Sequence, residues 1–203
     1  EAGALEAVLV DAPIAAAAGA GRDVYSKNPT VVVDAGASKT YAAIVAEGAV
    51  KYYIETQTAG DHIDFAISDY IRNKYRIVVA PDVAENLKKM YVTLEPGHLE
   101  KQAEIVGTSA LSGLPVKVTV RASELSMAAL VPAMAISNLV CDVFEKVAAD
   151  YGDPAAASPT VIVGGTAMLA GFAKFIASET GVRAVVADNP QACTAVGLAM
   201  GLG

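Results

Sequence analysis

One acidic side chain in this sequence stands where it could act together with a phosphate and a metal ion. Asp34 ends the β-branched run Val31 to Val33, and the small-residue turn Ala35-Gly36-Ala37-Ser38 follows it. A carboxylate at the end of a buried strand costs free energy unless it has a partner, and backbone N–H groups in such a turn can hold an anion. These features suit a phosphate and a magnesium-bound water held by Asp34. A tight turn before an ordinary β-hairpin is the simpler alternative.

Three further segments could line the same site. Gly60 and Asp61 open a helical pattern, and helix N-termini favour anions, although an ordinary capped helix also explains these residues. Glu85 and Lys88 lie three residues apart on one helix face, where a surface ion pair worth about a few tenths of a kcal/mol is the simpler interpretation. The Gly164-Gly165-Thr166 turn joins a strand to a helix, and its missing Cβ atoms let the backbone approach a flat ligand closely.

The apolar periodicity predicts the elements that position these residues. Two β-rich runs separated by Glu47-Gly48 predict a hairpin that follows the Asp34 turn. Further strands are predicted at 4–10, 102–108, 116–121, 160–163 and 183–187, and helices at 14–20, 63–74, 81–91, 123–147, after Gly165, and at 191–197. A loop is predicted at Gly152, Pro154 and Pro159.

The longest apolar stretch, residues 127–144, predicts a buried amphipathic helix rather than a membrane span, because it contains Pro132 and several polar residues. Ser123 is the predicted N-cap of this helix, with Glu124 in the first turn, and Pro132 should kink the helix or mark a local break. The predicted buried stripe is Leu125, Ala128, Val131, Ala135, Leu139, Val143 and Val147.

The composition narrows the classes of protein and partner. The chain has 203 residues, 54% of them hydrophobic, and a net charge of −7. This acidity disfavours nucleic acid and anionic membrane as partners. Cys141 and Cys193 are the only cysteines, and their apolar surroundings favour buried thiols in a reducing cytoplasm. We see no signal peptide and no metal-binding cysteine spacing, so we expect a cytoplasmic protein.

The quoted segments resemble those of a known superfamily. The run Asp34-Ala35-Gly36-Ala37-Ser38-Lys39-Thr40 resembles the Asp-x-Gly-Gly-Gly-Thr-Thr phosphate motif of actins and DnaK-type chaperones, most closely that of bacterial actins of the MreB and MamK kind. The segment Thr160 to Phe172 resembles their adenosine-binding loop, and Ala84 to Lys89 resembles their Ala-Glu-x-x-Lys segment. The Pro13 helix is similar to their inter-lobe helix.

The resemblance implies the fold class. We expect an α/β protein with an actin-like (ribonuclease H-like) core, a mixed five-stranded sheet flanked by helices, and a small α+β subdomain. Residues 1–22 would hold the end of a first-lobe element and the inter-lobe helix, residues 23–76 and 123–203 the core, and residues 77–122 the outer subdomain. The chain would then begin at the end of the first lobe and supply the second lobe only.

The resemblance also implies a nucleotide site. Its cofactor would be ATP or ADP with Mg²⁺, a cofactor that this chain could have lost, and Asp34 would serve the metal. Glu85 and Lys88 would hold the ribose hydroxyls, and Lys89 would pack by the adenine. The implied binding residues are Asp34, Gly36, Ser38, Lys39, Thr40, Gly60, Asp61, Glu85, Lys88, Lys89, Gly164, Gly165 and Thr166.

The sequence departs from the family where the water-activating groups would lie. Those positions hold Ala12 and Tyr41, and neither residue can act as a carboxylate base. Ala37 and Ser38 replace two glycines of the phosphate motif and could hinder close approach of a phosphate. We therefore assign no catalytic residue, and we expect an ATPase only if a first lobe completes the site.

Three functions stay open. We favour an actin-like cytoskeletal or scaffolding module with a degenerate nucleotide site, which would associate with itself or with another actin-like protein. The second is the ATP-binding lobe of a polymerising bacterial actin that serves cell shape or the positioning of magnetosomes or other organelles. The third is a chaperone-like reactivating factor of the ethanolamine-utilisation type.

Overall fold

A mixed five-stranded sheet forms the centre of the fold in the computed structural model, which describes residues 7–95, 97, 100–152 and 159–201. Strand β1 pairs antiparallel with β2 and parallel with β7, while β3 extends the sheet beside β2 and β8 extends it beside β7. The predicted mixed five-stranded sheet is confirmed. In sheet order the strands are β3 (Ala49–Thr56), β2 (Thr40–Ala46), β1 (Thr30–Ala35), β7 (Thr160–Val163) and β8 (Ala184–Val186).

The β2–β3 hairpin forms at the predicted turn. Glu47 and Gly48 have φ angles of 53° and 72°, and two consecutive positive φ angles give the type of tight turn that matches the twist of paired strands. All seven residues of β2 are buried. This burial explains why β2 reads as a continuous apolar run rather than as an alternating one.

Helices cover both faces of the sheet. Helices α1 (Ala12–Gly19) and α6 (Cys193–Ala199) pack on one face, and α4 (Ala122–Tyr151) and α5 (Phe172–Thr180) pack on the other. The contact of α1 with α6 is very close, because a Cβ atom at Gly197 would overlap the Ala15 carbonyl group. The Ala-rich face of α1 therefore serves close helix packing.

A second, smaller sheet carries its own apolar core. Its antiparallel strands are β4 (Ile77–Val78), β5 (Gln102–Ser109) and β6 (Pro115–Arg121), so the predicted 102–121 hairpin is confirmed. Helices α2 (Gly60–Tyr75) and α3 (Pro81–Tyr91) and the start of α4 pack against this sheet. The exact boundaries of the outer subdomain stay a prediction.

Helix α4 differs from its prediction in two ways. It begins at Ala122, with Arg121 as the N-cap residue and no side-chain cap, so Ser123 is not the N-cap. Val131 is 75% exposed, whereas Pro132, Ala133 and Ile136 are buried. The predicted stripe was wrong here because two successive three-residue steps rotate it by roughly 120° away from the buried face.

Helix α4 is long and apolar enough to cross a membrane by length and composition, and half of its most apolar window is buried inside the fold. That burial agrees with the predicted buried helix. It contacts both apolar cores of the protein.

Other element bounds also shift. Residues 7–10 have no regular secondary structure, so the predicted strand at 4–10 is wrong there, and residues 4–6 lie outside the described ranges. A short 3-10 turn, Gly165–Met168, comes before α5. The last helix begins at Cys193 rather than at residue 191. Pro154, in the predicted loop, lies outside the described residues.

Candidate functional site

The Asp34 turn and the Gly164 turn lie against each other. Strands β1 and β7 are parallel neighbours in which Asp34 pairs with Val163, so both turns leave the same edge of the sheet. A Cβ atom at Gly164 would overlap the Ala35 carbonyl oxygen and lie 2.5 Å from Asp34 Oδ1. Gly164 also has φ 89° and ψ 167°, a conformation that only glycine adopts readily. The fold thus requires glycine where the turns meet.

Hydrogen bonds join these turns to the start of α2. The Thr166 hydroxyl donates to the Gly36 carbonyl oxygen at 2.8 Å. The amides of Gly60 and Asp61 donate to the carbonyl oxygens of Gly36 and Ala37 at 3.1 and 2.8 Å. These two N–H groups are therefore not free for an anion. The ordinary capped helix that the sequence left open describes this terminus, with backbone carbonyls as the cap.

A cavity of about 480 Å³ lies between the two turns and α3. Its volume falls in the range of about 300–1,000 Å³ that is typical of small-molecule sites. Sequence reasoning missed Met168, Leu169 and Gln191, which carry no signal beyond their place next to the Gly164 turn and in the last loop. The lining residues are Gly36, Ala37, Gly60, Asp61, Glu85, Lys88, Lys89, Gly165, Thr166, Met168, Leu169 and Gln191.

Two ion pairs organise the α3 side of this cavity. Lys88 Nζ lies 2.6 Å from Asp64 Oδ2 and donates to the Gly60 carbonyl oxygen at 3.1 Å. Glu85 pairs with Lys89 at 2.6 Å. The alternative interpretation of Glu85 and Lys88 as a surface ion pair is therefore wrong, because Lys88 pairs with Asp64 on α2 and Glu85 pairs with Lys89 on its own helix.

The two ion pairs differ in burial. The Lys88 and Asp64 side chains are 13% and 17% exposed, whereas those of Lys89 and Glu85 are 61% and 49% exposed. Burial raises the pKa of Asp64, and Lys88 opposes this effect only in part. Glu85 and Lys89 consequently stay available to a ligand, while Lys88 holds α3 to α2.

A second cavity of about 140 Å³ adjoins Asp34. Burial raises the pKa of Asp34, and the nearby Tyr41 hydroxyl and Lys39 ammonium group lower it in part. Lys39 itself is exposed and pairs with Glu55 at 3.0 Å. Gly36 and Ala37 line both cavities, so the two spaces share a rim. The lining residues are Asp34, Gly36, Ala37, Ser38, Lys39 and Tyr41.

Two of the predicted site residues, Thr40 and Gly164, line neither cavity. Thr40 is buried in β2, and its hydroxyl donates to the Thr58 carbonyl oxygen at 2.8 Å. Gly164 likewise lies beneath the cavities, packed on Asp34 and Ala35. Both residues support the site rather than line it.

The oxygen donors at the Asp34 turn suit magnesium only in combination with a ligand. In the described ranges, no group of three or more Asp, Glu, His or Cys side chains could hold a metal ion. Magnesium is commonly bound through one or two carboxylates together with ligand phosphates and water. Asp34, which lines the smaller cavity, fits that pattern as the single carboxylate.

The sequence matches one family along nearly its whole length. A family model described as MreB/Mbl protein matches residues 1–202. The cell shape-determining protein MreB of Escherichia coli (strain K12) is 31% identical over 196 residues, which cover 97% of this chain and 56% of that protein. The chain thus spans little more than half the length of the curated relatives it matches.

Solved structures are similar to this fold. MreB5 of Spiroplasma citri bound to ADP superposes with a TM-score of 0.90 at 24% identity, covering 98% of this chain and 60% of that one. The AMPPNP complex of MreB5 superposes with a TM-score of 0.85 at 25% identity, covering 95% of this chain and 58% of that one. The MamK double helical filament superposes with a TM-score of 0.71 at 16% identity, covering 94% of this chain and 59% of that one. These likenesses confirm the predicted actin-like fold.

A weaker likeness concerns the third predicted function. The ethanolamine utilization protein EutJ from Carboxydothermus hydrogenoformans superposes with a TM-score of 0.59 at 23% identity, covering 96% of this chain and 55% of that one. At this identity the likeness concerns the fold alone.

Proposed function

This chain belongs to the MreB/Mbl family of bacterial actin-like proteins, and we propose that it is a scaffolding lobe that holds an adenine nucleotide without hydrolysing it. The observation that carries the proposal is the cavity of about 480 Å³ between the two glycine turns and α3. The complexes of MreB5 with ADP and AMPPNP support an adenine nucleotide as the occupant.

We propose a direction for the nucleotide from the residues that line the two cavities. The adenosine would lie between the Gly165–Met168 turn and α3, where Glu85 can accept from ribose hydroxyls and Lys89 can pack beside the base. The phosphates would then extend over Gly36 and Ala37 toward Asp34, since these two residues line both cavities. Lys88 contributes its charge from its place in the Asp64 pair.

Asp34 would hold a magnesium ion through its water shell, and that ion would neutralise phosphate charge. Asp34 is suited to this task because its carboxylate is partly desolvated, as its raised pKa reflects. A cation beside the carboxylate would lower its pKa again.

Hydrolysis needs a group that can take a proton from water. In this chain Ala12 and Tyr41 stand at the two positions where the family resemblance implies such groups. Burial raises the pKa of Tyr41 far above its ordinary value, so its phenol stays protonated and cannot act as a base. We therefore expect the proposed lobe to bind ATP without hydrolysing it.

The scaffolding role rests on the relatives. One is a cell shape-determining protein, and another forms a double helical filament. We infer that this chain associates with copies of itself or with another actin-like protein in the cytoplasm.

Calorimetric titration tests nucleotide binding. We expect micromolar binding of Mg-ADP and Mg-AMPPNP, and a marked loss of affinity in Asp34→Ala. Lys146→Ala is a matched control, because Lys146 pairs with Asp150 on α4 and lines neither cavity. Absence of binding by the unaltered protein would overturn the nucleotide part of the proposal.

Two further measurements test the remaining parts. Phosphate release from Mg-ATP should stay at the background rate, and sustained release would favour the alternative of a hydrolysing filament lobe. Negative-stain electron microscopy with and without nucleotide should show filaments. A strictly monomeric protein under all conditions would contradict self-association.

A further inference from the structure

Tyr41 carries a buried hydroxyl that makes no hydrogen bond of normal geometry within the described ranges, although it lies close enough to Asp34 to lower the pKa of that carboxyl group. The Tyr41 side chain is 5% exposed. A buried polar group without a partner costs free energy, so such groups in folded proteins call for an explanation. This one lines the smaller cavity beside Asp34.

The fold holds this hydroxyl in place. Tyr41 pairs with Asp34 across β1 and β2, and its ring lies 5.4 Å from the Tyr53 ring. The neighbouring polar groups are already engaged, because Tyr53 and Lys39 both donate to Glu55. Tyr41 is therefore the buried hydroxyl of this cavity that is left to meet a ligand.

The chemistry of the hydroxyl selects its partner. A neutral phenol donates one hydrogen bond, and it is strongest when the acceptor is an anionic oxygen. The adjacent Asp34 carboxylate is not in hydrogen-bonding geometry with the Tyr41 hydroxyl, so an anionic ligand oxygen that enters the smaller cavity can accept this bond. We propose that the Tyr41 hydroxyl donates to the terminal phosphate of a bound nucleoside triphosphate, so that this residue makes the site prefer a triphosphate over a diphosphate. This inference rests on the proposed nucleotide-binding function and deepens it.

The two cavities explain the preference. A nucleotide in the larger cavity has to pass the shared rim at Gly36 and Ala37 before it reaches Tyr41. A diphosphate would end near that rim, and a triphosphate would place its last phosphate in the smaller cavity. A contact made only by the last phosphate changes the affinity for one nucleotide and not for the other.

The test compares Mg-AMPPNP with Mg-ADP by calorimetry. In Tyr41→Phe we expect about a tenfold loss of affinity for Mg-AMPPNP, as the loss of one hydrogen bond to a charged group implies. The affinity for Mg-ADP should change less than about twofold by the same reasoning. Tyr53→Phe is the matched control, because it removes a hydroxyl that donates to Glu55, and it should leave the ratio of the two affinities unchanged.

The outcomes separate this inference from the proposed function. Equal losses for both nucleotides would mean that Tyr41 is merely structural, and no loss for either would mean that its hydroxyl makes no contact. Both results overturn the inference and leave nucleotide binding intact. Failure of the unaltered protein to bind either nucleotide would overturn the proposed function and this inference together.

Discussion

The two walls of the larger cavity are built from different kinds of atoms. The sheet-side wall is built around the two glycine-containing turns, where the Thr166 hydroxyl donates to the Gly36 carbonyl oxygen. Gly164 supports this wall from beneath, packed against Ala35. The α3 wall consists of long charged side chains held in ion pairs, Lys88 with Asp64 and Glu85 with Lys89. The first wall is therefore inseparable from the fold, whereas the second can change its charges while the fold is kept.

The largest expected effect comes from the backbone wall. Gly164→Ala should lower the free energy of unfolding by about 3 kcal/mol or more, because the added Cβ atom overlaps Ala35 and the glycine-only backbone conformation is strained for alanine. Urea unfolding followed by far-UV circular dichroism measures this change.

Gly165→Ala is the control for that experiment. Its added Cβ atom would lie 3.2 Å from Gln191 Nε2, the end of a flexible side chain, so the cost should stay below about 1 kcal/mol. Similar losses of unfolding free energy for both variants would contradict the conclusion that Gly164 is more tightly packed than Gly165.

An intermediate effect is expected on the charged wall. Lys88→Met leaves the partly buried Asp64 without its cation. We expect the free energy of unfolding to fall by about 1–3 kcal/mol. This is no more than the loss usually seen when a fully buried pair is broken, because both side chains keep some exposure. A double-mutant cycle with Asp64→Asn should show a clear coupling energy.

Lys89→Met is the matched control on the same helix. Its exposed pair with Glu85 should contribute less than about 0.5 kcal/mol. Equal losses at Lys88 and Lys89 would remove the reason to treat one lysine as structural and the other as available to a ligand.

The smallest effect concerns Asp34, a charged side chain that lines the smaller cavity next to the backbone wall. Because burial raises its pKa in the folded protein, the ionised carboxylate lowers stability as the pH rises through that pKa. Asp34→Asn should therefore be slightly more stable than the unaltered protein at pH 7, while it binds Mg-nucleotide less well.

The sign of this effect can be checked by urea unfolding at several pH values from about pH 4 to 7. The stability difference between Asp34→Asn and the unaltered protein should shrink as the pH falls, since protonated aspartic acid and asparagine are both neutral. A difference that grows toward low pH would mean that Asp34 is stabilised rather than destabilised by its surroundings.

Local patterns predicted much of the fold. The Glu47-Gly48 turn and the β-rich runs around it predicted the β2–β3 hairpin, because side-chain alternation and turn chemistry act over a few residues. The same reasoning predicted α3 from Pro81, since proline is favoured in the first turn of a helix. The stripe on α4 was predicted less well, because its two three-residue steps rotate away from the single buried face that runs through Leu125, Ala129 and Ile136.

Local patterns could not predict the partner of each charge. The i,i+3 spacing of Glu85 and Lys88 made an ion pair on one helix the simpler alternative, but Lys88 pairs with Asp64 on α2. Helix-surface rules describe only neighbours on the same element. The cap of α2 was hidden for a similar reason, since its acceptors are the carbonyl oxygens of Gly36 and Ala37 from a separate turn.

By itself the sequence determined most of the strands and helices and the two glycine-containing turns, because steric preference and apolar periodicity act along the chain. The tertiary structure alone decided that these turns share one cavity, that Lys88 pairs with Asp64, and that the Tyr41 hydroxyl makes no hydrogen bond of normal geometry with the residues described. The physical reason is that strand order and helix packing bring together groups far apart in sequence, and only their distances fix which polar atoms meet.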